Sequence, residues 1–185
     1  MSASAPALPL PGDLTPAQDL ERIIRVNHAG EYGAKRIYEG QLAFLRPNSP
    51  LRGKIEHMAE QEREHLEAFE QELVARRIRP TALFPLWHVA GFALGAATAL
   101  MGDKAAMACT IAVEEVIDQH YAEQSARLDA SEAPLKAKIE KFRAEELEHR
   151  DTGVEHGGRE AVGYPVLEAA IKTGSRLAIW LAKRV

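Results

Sequence analysis

Two Glu-x-x-His elements, Glu62-Arg63-Glu64-His65 and Glu146-Leu147-Glu148-His149, stand 84 residues apart and are the only places where a Glu precedes a His by three. On a helix this spacing puts a carboxylate and an imidazole on one face, within reach of one cation. Each element has an upstream partner: Glu31 lies 31 residues before Glu62, and Glu114 lies 32 residues before Glu146. Two Glu-x-x-His helices, with one Glu from each of two others, form the ligand set of a carboxylate-bridged dimetal site inside a four-helix bundle. Few folds can bring these six residues together, so the pattern constrains the chain more than its composition does.

The two halves repeat around this pattern. Lys54-Ile55-Glu56 matches Lys138-Ile139-Glu140 at the same offset as the Glu-x-x-His elements. At an offset of 83, Ala29, Glu31, Tyr38 and Gln41 match Ala112, Glu114, Tyr121 and Gln124. A single Glu-x-x-His is usually a solvated helix face, and a single Glu more so. Glu31, however, sits in Asn27-His28-Ala29-Gly30-Glu31-Tyr32-Gly33-Ala34, and Glu114 in the apolar run from Met107 to Val116. A carboxylate on a face pressed against a neighbour is expensive without a compensating cation.

The 185 residues suit one domain. With aromatics at 6% and Ala, Leu and Glu abundant, helix is favoured over sheet. A formal charge of −4 offers no basic field for nucleic acid. One cysteine, Cys109, excludes an internal disulfide and a cysteine-built metal centre; it reads as a small core residue. Residues 1–18, rich in Ala, Pro and Ser, read as a disordered leader, leaving 19–185 as the domain.

Helical patterning and breakers place helices at about 19–45, 50–77, 104–128 and 134–153, with a further amphipathic helix at about 165–184. Ser131 is a plausible cap for the fourth. Between the second and third lie residues 80–102, which contain no Asp, Glu, Lys or Arg. A transmembrane span there would put Glu31, Glu62 and His65 on one side of a bilayer and Glu114, Glu146 and His149 on the other. The segment is therefore read as an apolar crossover containing a short helix, either capping the core or meeting a membrane interface. The C-terminal helix carries an apolar sector with Trp180, and Lys172, Arg176, Lys183 and Arg184 are available to flank it. That composition suits an interfacial helix or one closing the bundle. The expected fold is all-α: a ferritin-like four-helix bundle with a long crossover and an extra C-terminal helix.

Helical spacing also nominates residues that could orient the ligands: Asp118, one turn beyond Glu114, and Tyr38 and Tyr121, two turns beyond Glu31 and Glu114. The simpler reading of both tyrosines is core aromatic. His28, His57 and His156 follow no such pattern and read as surface or loop residues.

The blocks Arg25-Val26-Asn27-His28-Ala29-Gly30-Glu31-Tyr32-Gly33-Ala34, Pro85-Leu86-Trp87 through Gly95, Ala106-Met107-Ala108-Cys109-Thr110, Val113-Glu114-Glu115, His120-Tyr121 and Glu145 to His149 resemble the demethoxyubiquinone hydroxylase family. The likeness runs from Asp19 to the C-terminus. It implies a di-iron monooxygenase of ubiquinone biosynthesis that adds oxygen from O2 to a polyprenylated methoxy-methyl-benzoquinol. By position, Glu31, Glu62 and His65 correspond to one metal's ligands and Glu114, Glu146 and His149 to the other's, with Glu62 and Glu146 bridging. His120 and Tyr121 match family residues beside the site. The resemblance further implies NADH as electron source, peripheral attachment to a cell membrane or to the matrix side of the mitochondrial inner membrane, and in eukaryotes a lipid-binding partner protein. The alternative on the same ligands is a ferroxidase or iron-storage protein, against which the uncharged crossover and basic tail argue. A metal-free helical scaffold would leave the paired motif unexplained.

Overall fold

The structure, a computed structural model, describes residues 12–185. The proposed leader lies partly outside the described residues. Its last part is ordered, because Thr15 accepts from the Gln18 backbone and closes a capping box on α1 (Pro16–Phe44), three residues earlier than expected. The chain continues through α2 (Arg52–Arg76), α3 (Phe84–Leu100), α4 (Asp103–Arg127), α5 (Ala133–Glu155) and α6 (Tyr164–Ala182), with no strand among the described residues. Asp129 rather than Ser131 makes the turn before α5: its carboxylate accepts from the Ser131 backbone and hydroxyl.

α1 pairs with α2 and α4 with α5; α1 also meets α4, and α2 meets α5. The protein is all-helical, and this pairing agrees with a ferritin-like bundle. Two apolar clusters fill its ends. Ile23, Ile24, Phe69, Leu73, Tyr121, Leu135, Ile139 and Phe142 form one. Tyr38, Leu45, Leu51, Ile55, Met58 and Met107 form the other. In register along α1, α2 and α4, Glu31, Glu62, His65 and Glu114 fall between these clusters, and Glu146 and His149 of α5 follow the first cluster's Phe142. Apolar packing on both sides removes water from the layer in which the carboxylates lie.

Nearly the whole crossover is one helix, α3, rather than a short helical piece. At 17 residues it measures roughly 25 Å, short of the roughly 30 Å hydrocarbon layer. No helix among the described residues is long and apolar enough to cross a membrane. α3 instead lies along α1. A methyl group at Gly95 would overlap the Ile37 carbonyl oxygen, and one at Gly40 would overlap that of Phe92. The absence of side chains at these two positions is what lets the backbones approach so closely. The outer side of α3 stays apolar and exposed, with Leu86, Val89 and Leu100 uncovered.

α6 packs chiefly on α4, burying Ile171 and Ala182 while Val166, Leu177 and Trp180 remain exposed. Lys172 is not a free flanking cation: it pairs with Glu115 and, at 2.8 Å, with Glu168. Arg184 lies over the Trp180 ring. Cys109 is fully buried, and burial pushes its thiol up to about 12, so it is an inert core residue as expected.

Candidate dimetal site

α1 contributes Glu31, α2 contributes Glu62 and His65, α4 contributes Glu114, and α5 contributes Glu146 and His149. All six are buried, none more than 2% exposed. Ligand atoms of Glu31, Glu62, His65 and Glu146 lie within 4.8 Å of one another, and so do those of Glu62, Glu114, Glu146 and His149. Glu62 and Glu146 belong to both groups. The two groups are therefore adjacent and share two carboxylates.

Each group is held by a partner from the opposite half of the repeat. The Tyr121 hydroxyl donates to Oε1 of Glu31, and the Tyr38 hydroxyl donates to Oε1 of Glu114 at 2.8 Å. The tyrosines thus cross over, each fixing the glutamate of the other helix rather than the one on its own. They are buried, but they act on the carboxylates and are more than core aromatics. The imidazoles are fixed from behind: Nε2 of His65 meets Oε2 of Glu145 at 2.8 Å, and Nε2 of His149 meets Oε1 of Gln61 at 3.0 Å. That leaves both Nδ1 atoms toward the centre. Nδ1 of His65 is 3.2 Å from Glu146 and 3.5 Å from Glu31, and Nδ1 of His149 is 3.1 Å from Glu146 and 3.4 Å from Glu62.

The electrostatics follow from burial. Loss of water raises the carboxyls of Glu31, Glu62 and Glu114, the latter two well above the usual range. Burial also raises Glu146, but the imidazoles of His149 and His65 outweigh it and hold the group down to about 2. Burial lowers both histidines, yet the surrounding carboxylates carry His65 up to about 12 and His149 up to about 11. Protons on the imidazoles and on some of the carboxyls balance this charge. Cations could replace them, and such binding would release protons.

The residues fit a pair of metal ions on a separate observation. Oε2 of Glu31, both oxygens of Glu62, Nδ1 of His65, Oε2 of Glu114 and Oε1 of Glu146 are buried without any hydrogen-bond partner. Buried polar atoms are almost always satisfied. Here six of the unsatisfied atoms belong to the one cluster, and carboxylate plus imidazole donors suit iron and similar divalent metals.

Other sequence-based expectations fall elsewhere. Asp118 turns away from the site and pairs with Arg143 at 2.6 Å near the surface. One-turn spacing sets Asp118 near Glu114 along the helix but does not decide which neighbour its side chain meets, and Arg143 of α5 takes it. His120 is buried and its hydrogen bond goes elsewhere: its Nε2 accepts from Gln124, whose amide also donates to Asn27. Burial lowers its pKa to about 4, helped by Lys183 and Arg127. His28 is buried, not a surface residue, and stacks on Phe84 at 5.0 Å. Sequence reasoning missed Gln61 and Glu145. Their positions immediately before the two Glu-x-x-His elements, at the same offset of the repeat, were the available signal.

Beside the site, α1, α3, α4 and α6 line a half-open cavity of about 440 Å³. Its wall includes Gly30, Gly33, Leu94, Val113, Ile117 and Ile171, with no charged residue. Gly30 precedes Glu31 and Val113 precedes Glu114, so the same two helices build the cavity wall and the carboxylate shell.

Comparison with known proteins agrees with this geometry. Residues 18–182 match the family described as "Ubiquinone biosynthesis protein COQ7". The 3-demethoxyubiquinol 3-hydroxylase of Rhodospirillum rubrum is 58% identical over 95% of this chain and 83% of its own. The human mitochondrial protein named NADPH-dependent 3-demethoxyubiquinone 3-hydroxylase is 51% identical over 90% of this chain and 78% of its own. The yeast mitochondrial 5-demethoxyubiquinone hydroxylase is 43% identical over the same shares. These names do not favour the storage alternative. With a family match over nearly all of its length, this chain belongs to the ubiquinone biosynthesis protein COQ7 family.

Proposed function

We propose that this protein is a demethoxyubiquinol hydroxylase that adds one oxygen atom from O2 to the ring of a polyprenylated methoxy-methyl-benzoquinol at a di-iron centre. The observation that carries the reading is the juxtaposition of the six-residue cluster with the uncharged cavity. A storage or ferroxidase site needs the first and has no use for the second. At about 440 Å³ the cavity is within the range of small-molecule sites, and its lining suits a hydrophobic ring and the start of a prenyl tail.

Glu31, Glu62 and His65 would hold one iron, and Glu114, Glu146 and His149 the other, with Glu62 and Glu146 shared. Bound there, the irons would supply the reductive activation of O2 that ring hydroxylation requires. The rest of the chemistry belongs to the chain. Tyr121 and Tyr38 each occupy one carboxylate oxygen and leave the other free for metal. Glu145 and Gln61 fix the imidazole tautomers so that Nδ1 is the donor atom. The apolar cavity orients the ring and excludes water.

Net addition of one oxygen, with the other leaving as water, consumes two electrons and two protons. The resemblance points to NADH as their source, whereas the animal relatives are named for NADPH. The exposed apolar side of α3, with Val166, Leu177 and Trp180 of α6, would rest on a membrane interface and admit the quinol from the lipid. A lipid-binding partner would serve the same delivery.

The deciding experiment is conversion of a short-tailed demethoxyquinone under ¹⁸O2, with NADH and NADPH in parallel, read by mass spectrometry. One labelled oxygen in the product is expected with at least one nucleotide. Iron uptake with neither nucleotide giving product would refute the hydroxylase reading.

A further inference from the structure

The two halves of the site are nearly symmetric, but the residues that back their histidines differ in charge. Gln61 and Glu145 occupy equivalent positions of the 84-residue repeat, each just before a Glu-x-x-His element. Each accepts from the Nε2 of the histidine on the opposite helix. One acceptor is a neutral amide and the other a carboxylate. Lys141 pairs with both oxygens of Glu145, at 2.8 Å from Oε1 and 3.1 Å from Oε2, and Oε2 also meets Nε2 of His65 at 2.8 Å.

We propose that Glu145 and Gln61 make the two metal positions unequal, so that the position built by Glu31 and His65 binds a divalent metal first and more tightly. The inference rests on the dimetal reading above. An imidazole N–H donated to a carboxylate makes the other ring nitrogen a stronger donor, because negative charge is shared into the ring. The same bond to an amide polarises the ring less, charge-assisted hydrogen bonds being about twice as strong as neutral ones. Partners of this kind typically change metal affinity about 10- to 100-fold. Gln61 and Glu145 are positioning residues: they touch the histidines, not the metal.

The test uses metal-stripped full-length protein titrated anaerobically with Co²⁺ and followed by its visible absorption. Wild type should fill in two steps whose affinities differ by about tenfold or more. Crystals grown with one equivalent of Co²⁺ should place the anomalous signal at the Glu31/His65 position. Glu145→Gln, which keeps shape and removes charge, should bring the two steps together by weakening the first. Gln61→Glu should bring them together by strengthening the second. The double exchange Gln61→Glu with Glu145→Gln should reverse the order of filling, an outcome that a merely structural role would not produce. Thermal melting of each metal-free variant checks that it folds. Two equal steps in wild type, or a filling order that survives the double exchange, would overturn the inference while leaving the dimetal site standing. Absence of any bound Co²⁺ in folded wild type would overturn both.

Discussion

Glu62 gives the sharpest test, because the same side chain is expected to be essential with metal and harmful without it. It is fully buried, and neither of its oxygens has a hydrogen-bond partner. The nearest imidazole atom, Nδ1 of His149, is 3.4 Å away. A buried polar atom left unpaired costs about 1–3 kcal/mol, so the two oxygens cost about 2–6 kcal/mol in the metal-free protein. Glu62→Met keeps most of the volume and removes both. Against that gain stand the loss of attraction to His149 and an imperfect fit costing under about 1.5 kcal/mol. The net expectation is a metal-free variant about 2 kcal/mol more stable than metal-free wild type, in line with buried ionic groups replaced by hydrophobic ones. For a chain of this length that is a rise of about 4–8 °C in Tm.

Linkage adds a second signature. The carboxyl of Glu62 is raised by burial, and the unfolded chain ionises it near 4.5. The folded state therefore holds a proton that the unfolded state releases, and this group's contribution falls as pH rises. The advantage of Glu62→Met should accordingly grow as pH rises above about 4.5. Glu146→Met should behave oppositely, losing about 3–5 kcal/mol, because Glu146 is the counter-charge shared by both imidazoles. The assay is circular-dichroism melting after chelation, with metal content by mass spectrometry. Both variants should fail to retain two metals per chain. A metal-free Glu62→Met that melts below metal-free wild type would refute the argument that this layer is held under electrostatic tension until cations arrive.

His120 is neutral in the fold, with its pKa lowered to about 4 from 6.5, so the unfolded chain binds a proton there first as pH falls. Its contribution is intact above about pH 6.5 and falls by about 3 kcal/mol on the way to pH 4; His120→Gln should flatten that part of a chemical-denaturation profile. Gly95→Leu should cost at least about 1–3 kcal/mol in thermal melts by forcing α3 off α1, since the added side chain meets the Ile37 carbonyl. Val89→Glu with Trp180→Glu should weaken co-sedimentation with phospholipid vesicles at unchanged Tm, both residues being exposed; vesicle binding equal to wild type would remove the proposed membrane face.

The identity of the six clustered residues was legible because chemistry and spacing were both written locally. A helix period of 3.6 places Glu and His of an i, i+3 pair on one face whatever the helix packs against. The repeat between halves then supplied two copies of the same pattern, and the charge-free stretch marked a segment that could not be a solvated loop. Cys109 was legible for the same reason, as a small residue in an apolar run.

What the period cannot say is which neighbour a face meets. Asp118 and Tyr121 lie on one helix at spacings compatible with Glu114, yet one pairs with Arg143 and the other reaches Glu31 across the bundle. The crossing of the tyrosines, the backing of His65 by Glu145 and of His149 by Gln61, and the burial of His28 all depend on how helices distant in sequence are set against each other. So does the cavity, which no single helix encloses. The donors and the faces that carry them were readable from the chain alone, since those follow from side-chain type and helical geometry. The partners that orient those donors and the apolar space beside them came with the folded arrangement, since both arise from contacts between helices.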